Sequence, residues 1–294
     1  MRVKDFVYNI YTQSKPGELW PIDRSDFLNH LLNEPEEIKV TLFQEKGGFS
    51  VLKTKGNEGS IVILAAVENE ETEVTERKLL EKIITHSKDK GIKHIYWGHK
   101  VGKYLWPGLP FEPDKLLLYK EAGFENYWDK PAEDLILNIT NFQASAEIYK
   151  RIKPLGFSVA QALSHDVEKI LQFEETEFPN WLEHYRKVID KNEIEKLLIV
   201  KDESGQIIGA TILFWGDYFY RKLLNGLAGG AGAVGIAKAF RGKGLGSAMQ
   251  AKALDILRDK GTKYAVVEYT GVPEFYEKLG FKRWKKYHML KLDL

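Results

Sequence analysis

The chain has 294 residues, 44% hydrophobic and 29% charged, with 43 Lys and Arg against 42 Asp and Glu for a net charge of +1. That composition can fill one large core or two ordinary ones, and it sets up no general field toward nucleic acid or an anionic membrane. There is no cysteine, which excludes disulfides, thiolate metal sites and an acyl-cysteine intermediate.

The opening stretch, Met1 to Phe6, lacks an apolar signal core, and the longest aliphatic run, Ile61 to Val67, is too short to span a bilayer. The expectation is a cytoplasmic protein with no membrane partner. Residues 38–45 and 49–55 flank Lys46-Gly47-Gly48 and predict a β-hairpin. Ile61 to Val67 reads as a buried strand. Glu76 to Lys88 reads as an amphipathic helix with Leu79, Leu80, Ile83 and Ile84 inward. Asp89-Lys90-Gly91 ends that helix, and Ile92 to Trp97 reads as the next strand. The aromatic, proline-rich stretch Gly102 to Phe111 is either a wall over an acceptor site in another domain or a rigid loop packing two domains together. Asp134 to Thr140 reads as the last strand of a first domain, 1–140. Residues 141–154 form a polar connector, and a second domain spans 155–294.

In that second domain Glu174, Glu175 and Glu177 are interleaved with Phe173, Phe178 and Trp181. Glu174, Glu177, Phe178 and Trp181 can hold a cationic amine by ion pairing and cation–π contact; the competing reading is a solvated face over core aromatics. His165 suits a helix N-terminus, and the histidines show no ligand spacing, so no metal is expected. Leu197 to Lys201 and Gln206 to Phe214 predict another hairpin. Then comes Gly229-Gly-Ala-Gly-Ala-Val-Gly235, followed by Ile236-Ala-Lys-Ala-Phe-Arg241-Gly-Lys-Gly-Leu-Gly-Ser247 and an amphipathic helix. Glycines expose backbone N–H groups, and the helix N-terminus adds partial positive charge, so the segment suits a phosphate or diphosphate. A P-loop needs Ser or Thr after Gly242-Lys243, where Gly244 stands. The triplet Gly230-x-Gly232-x-x-Gly235 is followed by a second glycine loop rather than by a helix, against a dinucleotide fingerprint.

The chain also repeats itself. Asp89-Lys-Gly91 and Asp259-Lys-Gly261 each end a helix before a strand, and Tyr119-Lys-Glu-Ala-Gly-Phe124 mirrors Tyr276-Glu-Lys-Leu-Gly-Phe281. Aligned on the first anchor, Arg241 corresponds to Glu71. The front copy thus has Glu71-Thr-Glu73-Val-Thr-Glu76 where the back copy has its glycine loop. Acids there stabilise the helix and repel a diphosphate. Both copies carry antiparallel strands followed by a strand–helix–strand crossover, an α/β (α+β) class with two mixed sheets.

The run Arg241-x-x-Gly244-x-Gly246, with Ser247 at the helix start, resembles the coenzyme A loop of the GNAT superfamily of N-acetyltransferases. The strand Lys263 to Tyr269 followed by Pro273-Glu-Phe-Tyr276-Glu-Lys-Leu-Gly-Phe281 is similar to a second signature of that family. The resemblance covers about residues 155–294 and, more faintly, the front half. It implies two GNAT-like domains in tandem, the first degenerate and the second catalytic. It implies acetyl-CoA as the acyl-donor cosubstrate and direct transfer in a ternary complex to a primary amine of a small molecule or peptide. Val234, Gly235 and Ile236 would pair with the pantetheine arm, with the Ile236 N–H as oxyanion donor. Arg241, Gly242, Lys243, Gly244, Leu245, Gly246 and Ser247 would hold the diphosphate, and Tyr276 would protonate the departing thiolate. Glu268, at the end of the preceding strand, is the general-base candidate, or else a solvent-facing carboxylate with water as the base. Where the family often has Asn after its fifth strand, this chain has Tyr269-Thr270-Gly271. A non-catalytic acyl-CoA-binding regulator is one alternative. A tRNA-dependent aminoacyl transferase is another, and the near-zero charge argues against it and against nucleic acid as a partner. A homodimer stays open.

Overall fold

A computed structural model describes residues 3–111, 113–216 and 222–294, so Met1 and Arg2 of the opening stretch lie outside the described residues. In chain order the elements are α1 (Val3–Thr12), α2 (Lys15–Leu19), α3 (Arg24–Leu32), β1 (Lys39–Glu45), β2 (Gly48–Lys55), β3 (Glu58–Ala66), α4 (Thr72–Asp89), β4 (His94–Trp97), β5 (Leu109–Pro110), α5 (Pro113–Glu121) and β6 (Glu125–Asn126). There follow β7 (Ala132–Asn138), α6 (Ala146–Ile152), β8 (Ser158–Gln161), α7 (Val167–Glu177), α8 (Leu182–Asp190), β9 (Leu197–Lys201), β10 (Ile207–Gly216), β11 (Ala228–Ile236), α9 (Leu245–Asp259), β12 (Tyr264–Thr270), α10 (Pro273–Glu277), β13 (Lys282–His288) and β14 (Leu290–Asp293). The chain divides into two compact units, residues 1–133 with 285–294 and residues 134–284.

In the first unit the strand order is β1-β2-β3-β4-β14-β6. β1, β2 and β3 form an antiparallel meander, and β3 pairs in parallel with β4 across the α4 crossover. Leu79, Leu80 and Ile83 of α4 are buried at the i, i+1, i+4 spacing of one helix face, with Ile84 half-buried at its margin. The stretch 102–111 is partly buried in this unit, and its β5 pairs antiparallel with β13 at Tyr287 and His288. Leu105 and Trp106 are buried inside this unit, with the Trp106 ring against Trp97 and Trp20 at 6.2 and 5.9 Å. The Val101 N–H donates to Ser60 Oγ at 2.8 Å.

The second sheet has the order β5-β13-β7-β12-β11-β10-β9-β8, with β5 pairing only with Tyr287 and His288 of β13. Met249, Ala253 and Leu245 of α9 pack on one face of the sheet, while Ile170 and Phe173 of α7 and Tyr185 of α8 pack on the other. The residues read as a connector carry α6, whose Ile152, Ile148 and Tyr149 join the α9 core; apolar spacing in a polar stretch docks it.

Chain order and sheet order part at both ends of the expected 1–140 and 155–294 split. β7, expected to close the first domain, lies between β12 and β13, and Leu135 and Ile139 pack with Leu254, Leu257 and Val267. The last ten residues, expected in the second domain, join the first. There β14 lies between β4 and β6, with Leu290 and Leu292 buried and His94 Nδ1 2.6 Å from Asp293. Each sheet is thus completed by the strand that follows the other repeat. Apolar alternation marks both segments as strands but does not say which ladder each joins.

Candidate active site

The site begins where two parallel strands part. β11 and β12 pair only over Ala228 to Gly230 and Tyr264 to Val266, although they run on to Ile236 and Thr270. A Cβ at Gly230 would stand 2.2 Å from the Val266 carbonyl oxygen, so only glycine permits the close approach just before the strands diverge. Further along, Ala210 faces Gly235 and Ile212 faces Gly232, which leaves Thr211 opposite both Ala233 and Val234. This is a β-bulge, and Ala233 takes φ 49° to make it. Carbonyls that the bulge removes from the ladder are taken by side chains: Thr211 Oγ1 donates to Gly232 O at 2.9 Å, and Tyr185 Oη donates to Ala233 O at 2.8 Å. Beyond the bulge the Ala237 N–H donates to Ile208 O on β10 at 2.9 Å. Strand alternation therefore turns the N–H and C=O of Ile236 away from β10, toward the side that β12 has left open. Ile236 O accepts from Arg241 Nε there at 2.9 Å.

The glycine loop follows. Gly244 caps α9 with φ 84°, a left-handed conformation that favours glycine, and a Cβ at Gly242 or Gly244 would meet nothing within 4 Å. The first intrahelical bond runs from Ala248 N to Gly244 O at 3.0 Å, so the N–H groups of Leu245, Gly246 and Ser247 precede the ladder. The first turn of α9 carries no acid. Arg241 and Lys243 supply positive charge, and Lys243 Nζ sits over the Phe240 ring at 5.1 Å. Open clearance, unspent donors and two cations fit a bound diphosphate.

The residues proposed for the acceptor gather against β11, but not as one amine-facing surface. The Phe178 ring lies where a Cβ at Gly235 would be 2.5 Å away, and it stacks on Trp181 at 4.7 Å. Glu177 Oε2 accepts from the Lys238 N–H at 3.2 Å, which ties α7 to the start of the loop. Glu174 is 0% exposed and neither of its oxygens has a well-aligned hydrogen bond. It therefore belongs neither to a solvated face nor to a surface that a cation reaches from water. Burial pushes its carboxyl up to about 8, and burial also lifts the neighbouring Tyr185 phenol well above its ordinary range.

The end of β12 supplies the remaining candidates. Ala265 and Val267 pack against Leu254 and Leu257 of α9, so alternation places half-buried Glu268 on the opposite face, the one covered by α7 and α8. Tyr276 of α10 is buried with Val267 on the α9 face, its ring against Phe275 and Phe281 at 4.9 and 5.7 Å. Glu268 and Tyr276 are thus on opposite faces of β12. Burial pushes the Tyr276 phenol up to about 12. Thr270 Oγ1 accepts from Val272 N at 3.1 Å and so helps start α10. One residue at this end escaped the sequence reading. Buried Asp134 of β7 accepts from the Tyr269 N–H at 2.8 Å, where φ is 32°. Only the strand exchange makes that contact, so no local motif could reveal it.

The matching corner of the first unit is built differently. Asn69 Oδ1 accepts from the Glu71 N–H at 2.8 Å, Thr72 Oγ1 donates to Val67 O at 2.9 Å, and Glu73 stands in the first turn of α4. Glu76, the counterpart of Gly246, is buried with both oxygens 2.5 Å from Lys115 Nζ. Trp20, Trp97, Trp106 and Tyr119 close around that pair, leaving a cavity of about 30 Å³, roughly room for a single water. Among the described residues no group of three or more His, Cys, Asp or Glu could hold a metal, and no helix is long and apolar enough to cross a membrane.

Residues 193–283 match the family model described as an acetyltransferase (GNAT) domain. A mycothiol acetyltransferase from Renibacterium salmoninarum is 34% identical over 91 residues, which is 30% of this chain; the match spans about a quarter, 26%, of that relative's length. Among solved structures, the glucosamine N-acetyltransferase region of a fungal multi-domain GH3 β-N-acetylglucosaminidase superposes with a TM-score of 0.83 at 19% identity, over 98% of this chain and 37% of that one. A tandem GNAT protein from the clavulanic acid biosynthesis pathway gives 0.65 at 12% identity, over 98% and 95%. An N-acetyltransferase from Sphaerobacter thermophilus gives 0.63 at 13% identity, over 92% and 85%. At these identities the structures speak for the fold.

Proposed function

We propose, from the match of residues 193–283 to the acetyltransferase (GNAT) domain model, that the 134–284 unit is an acetyl-CoA-dependent N-acetyltransferase of the GNAT superfamily and the first unit a degenerate copy. The acceptor would be a primary amine of a small molecule or peptide, acetylated directly in a ternary complex. The observation that carries this reading is the bulged, diverging β11, whose Ile236 N–H faces the open wedge beside an acid-free helix start.

The N–H groups of Leu245, Gly246 and Ser247, with Arg241, Gly242, Lys243 and Gly244 around them, hold the diphosphate at the positive end of α9. Val234, Gly235 and Ile236 form the edge along which a pantetheine arm bonds as an added strand would. The Ile236 N–H polarises the thioester carbonyl, a donor worth about 3 kcal/mol where such groups have been removed elsewhere. Glu268, on the face shared with α7 and α8, takes the ammonium proton directly or through water. The amine nitrogen then bonds to the carbonyl carbon, and the C–S bond breaks. Tyr276, raised to about 12, stays protonated through neutrality, gives its proton to the departing thiolate and regains one from the new amide nitrogen, which loses its extra proton through water.

The test is acetyl-CoA with a panel of polyamines, amino sugars including glucosamine, amino acids and peptide N-termini, read by mass spectrometry, with calorimetry for binding. Acetylated product with at least one amine class is expected. Tight binding without product across the panel would make the protein an acyl-CoA-binding regulator, and absence of binding would sink the site assignment.

A further inference from the structure

Glu174 is a fully buried carboxyl of the second unit. It lies on α7 next to Phe173 and one turn after Ile170, both core residues, with neither oxygen in an aligned hydrogen bond. The group beside it is the hydroxyl of Tyr185 from α8, itself fully buried. Tyr185 has one proton and spends it on Ala233 O at 2.8 Å. Toward Glu174 the phenol can therefore offer only a lone pair, and a carboxylate there would face oxygen with no donor. A neutral carboxyl has the proton that this arrangement lacks. The other groups around α7 do not change that balance. β10 (Ile207–Gly216) contains no ionisable side chain. The turn before α7 holds His165, and Asp166 paired with Lys201 at 2.7 Å. Glu177, one turn along α7, is committed to the Lys238 N–H.

We propose that Glu174 is a positioning residue for acyl transfer: neutral, it donates to Tyr185 Oη, which keeps the Tyr185 proton on Ala233 O and holds the β11 bulge in the shape that turns the Ile236 N–H into the wedge. The inference rests on the reading of β11 as the acyl site. When Glu174 ionises it becomes the stronger acceptor. The Tyr185 proton swings to it, Ala233 O loses its partner, and the strained φ of Ala233 loses its restraint. Activity should then fall on the alkaline side through about 8, where the carboxyl titrates, well below the Tyr276 phenol near 12.

The experiment compares Glu174→Gln and Tyr185→Phe with the wild type, using acetyl-CoA and the best amine of the panel from neutral pH to two units above it. Above its titration point a single controlling carboxyl lowers the wild-type rate about tenfold per pH unit. Glu174→Gln keeps an N–H donor at every pH, so the neutral-pH rate should be rescued to within about twofold and the alkaline fall abolished. Tyr185→Phe should be about tenfold slower throughout, without that fall. A second readout needs no turnover. The folded state favours the neutral carboxyl, so wild-type thermal stability should decline as pH rises from the ordinary carboxylate range through about 8; Glu174→Gln should flatten that profile. An unchanged alkaline limb in Glu174→Gln overturns the proposal. A flattened stability profile in a protein that acetylates nothing leaves Glu174 neutral and overturns the reading of β11 as a site of acyl transfer instead.

Discussion

The starts of α4 and α9 occupy corresponding places in two copies of one fold, and they solve the same problem in opposite ways. Each helix begins with N–H groups that its own ladder cannot use. At α4 acids stand over them instead: Glu73 is in the first turn, the Asn69 carbonyl takes the Thr72 N–H, and Glu76 is buried against Lys115. At α9 glycines leave the donors bare, and Arg241 and Lys243 stand beside them. The strands tell the same story. β3 also runs on past its last pairing with β4, Ile61 with Trp97, but Trp97, Trp106 and Trp20 gather at that corner, where β11 and β12 leave the backbone of Ile236 unpaired by a strand. Fold and binding chemistry are therefore separable here. A corner filled with indole rings and a buried ion pair keeps the architecture, and so does one whose helix-start donors are left bare.

The widest way to break the comparison is to remove the strand exchange. Deleting residues 289–294 takes β14, with buried Leu290 and Leu292, out of the first unit's sheet. At about 2 kcal/mol for each buried leucine the first unit should lose about 4 kcal/mol or more. A calorimetric scan should show its transition falling or vanishing, while acetyl-CoA affinity stays within about threefold. Equal loss of affinity would mean that the two copies are not independent in binding.

Next in size, Gly244→Glu puts an acid into the α9 start, as in α4. Nothing within 4 Å obstructs the side chain, so the defect is electrostatic plus about 1–2 kcal/mol of strain at φ 84°. Acetyl-CoA affinity should fall at least a hundredfold by calorimetry, with the fold intact by circular dichroism; ordinary affinity would move the diphosphate elsewhere.

Tyr276→Phe tests a position that both copies fill with tyrosine. Tyr119 and Tyr276 are each buried, so burial alone does not mark a proton donor. If Tyr276 is the donor, turnover should drop about ten- to a hundredfold with little change in cofactor affinity. An undiminished rate assigns Tyr276 to the core, as its cluster with Leu254 and Val267 already does in part.

What could be read in advance follows the range of each interaction. The α9 loop, its apolar face and the paired Asp-Lys-Gly ends are local patterns, and they appear in the structure where the residues placed them. The bulge was hidden because alanine gives no sign of positive φ, and because a two-on-one count exists only once Thr211 is seen opposite Ala233 and Val234. The burial of Glu174 was hidden because an acid among acids reads as a solvated face. The partners of β7 and β14 lie more than 120 residues away in sequence, and alternation cannot choose among ladders. The helices α1 to α3 are short, and α2 holds Pro16 and Gly17 near its start, so periodicity alone does not announce them.

The finest test exchanges Arg241, whose counterpart is Glu71, for lysine. Arg241 has two tasks: its Nε bonds Ile236 O at 2.9 Å, fixing the loop to the strand end, and its guanidinium, over the Phe178 ring at 5.9 Å, carries charge in the loop before α9. Lysine keeps the charge but has a single nitrogen, which cannot hold the carbonyl and face a diphosphate at once. Losing one charge-assisted contact while keeping the field should weaken acetyl-CoA binding about three- to tenfold. If the charge alone mattered, Arg241→Lys would bind like the wild type and its salt dependence would match. If the strand tether matters, affinity falls while the salt dependence stays the same, and the contrast with Glu71 becomes one of geometry as well as sign.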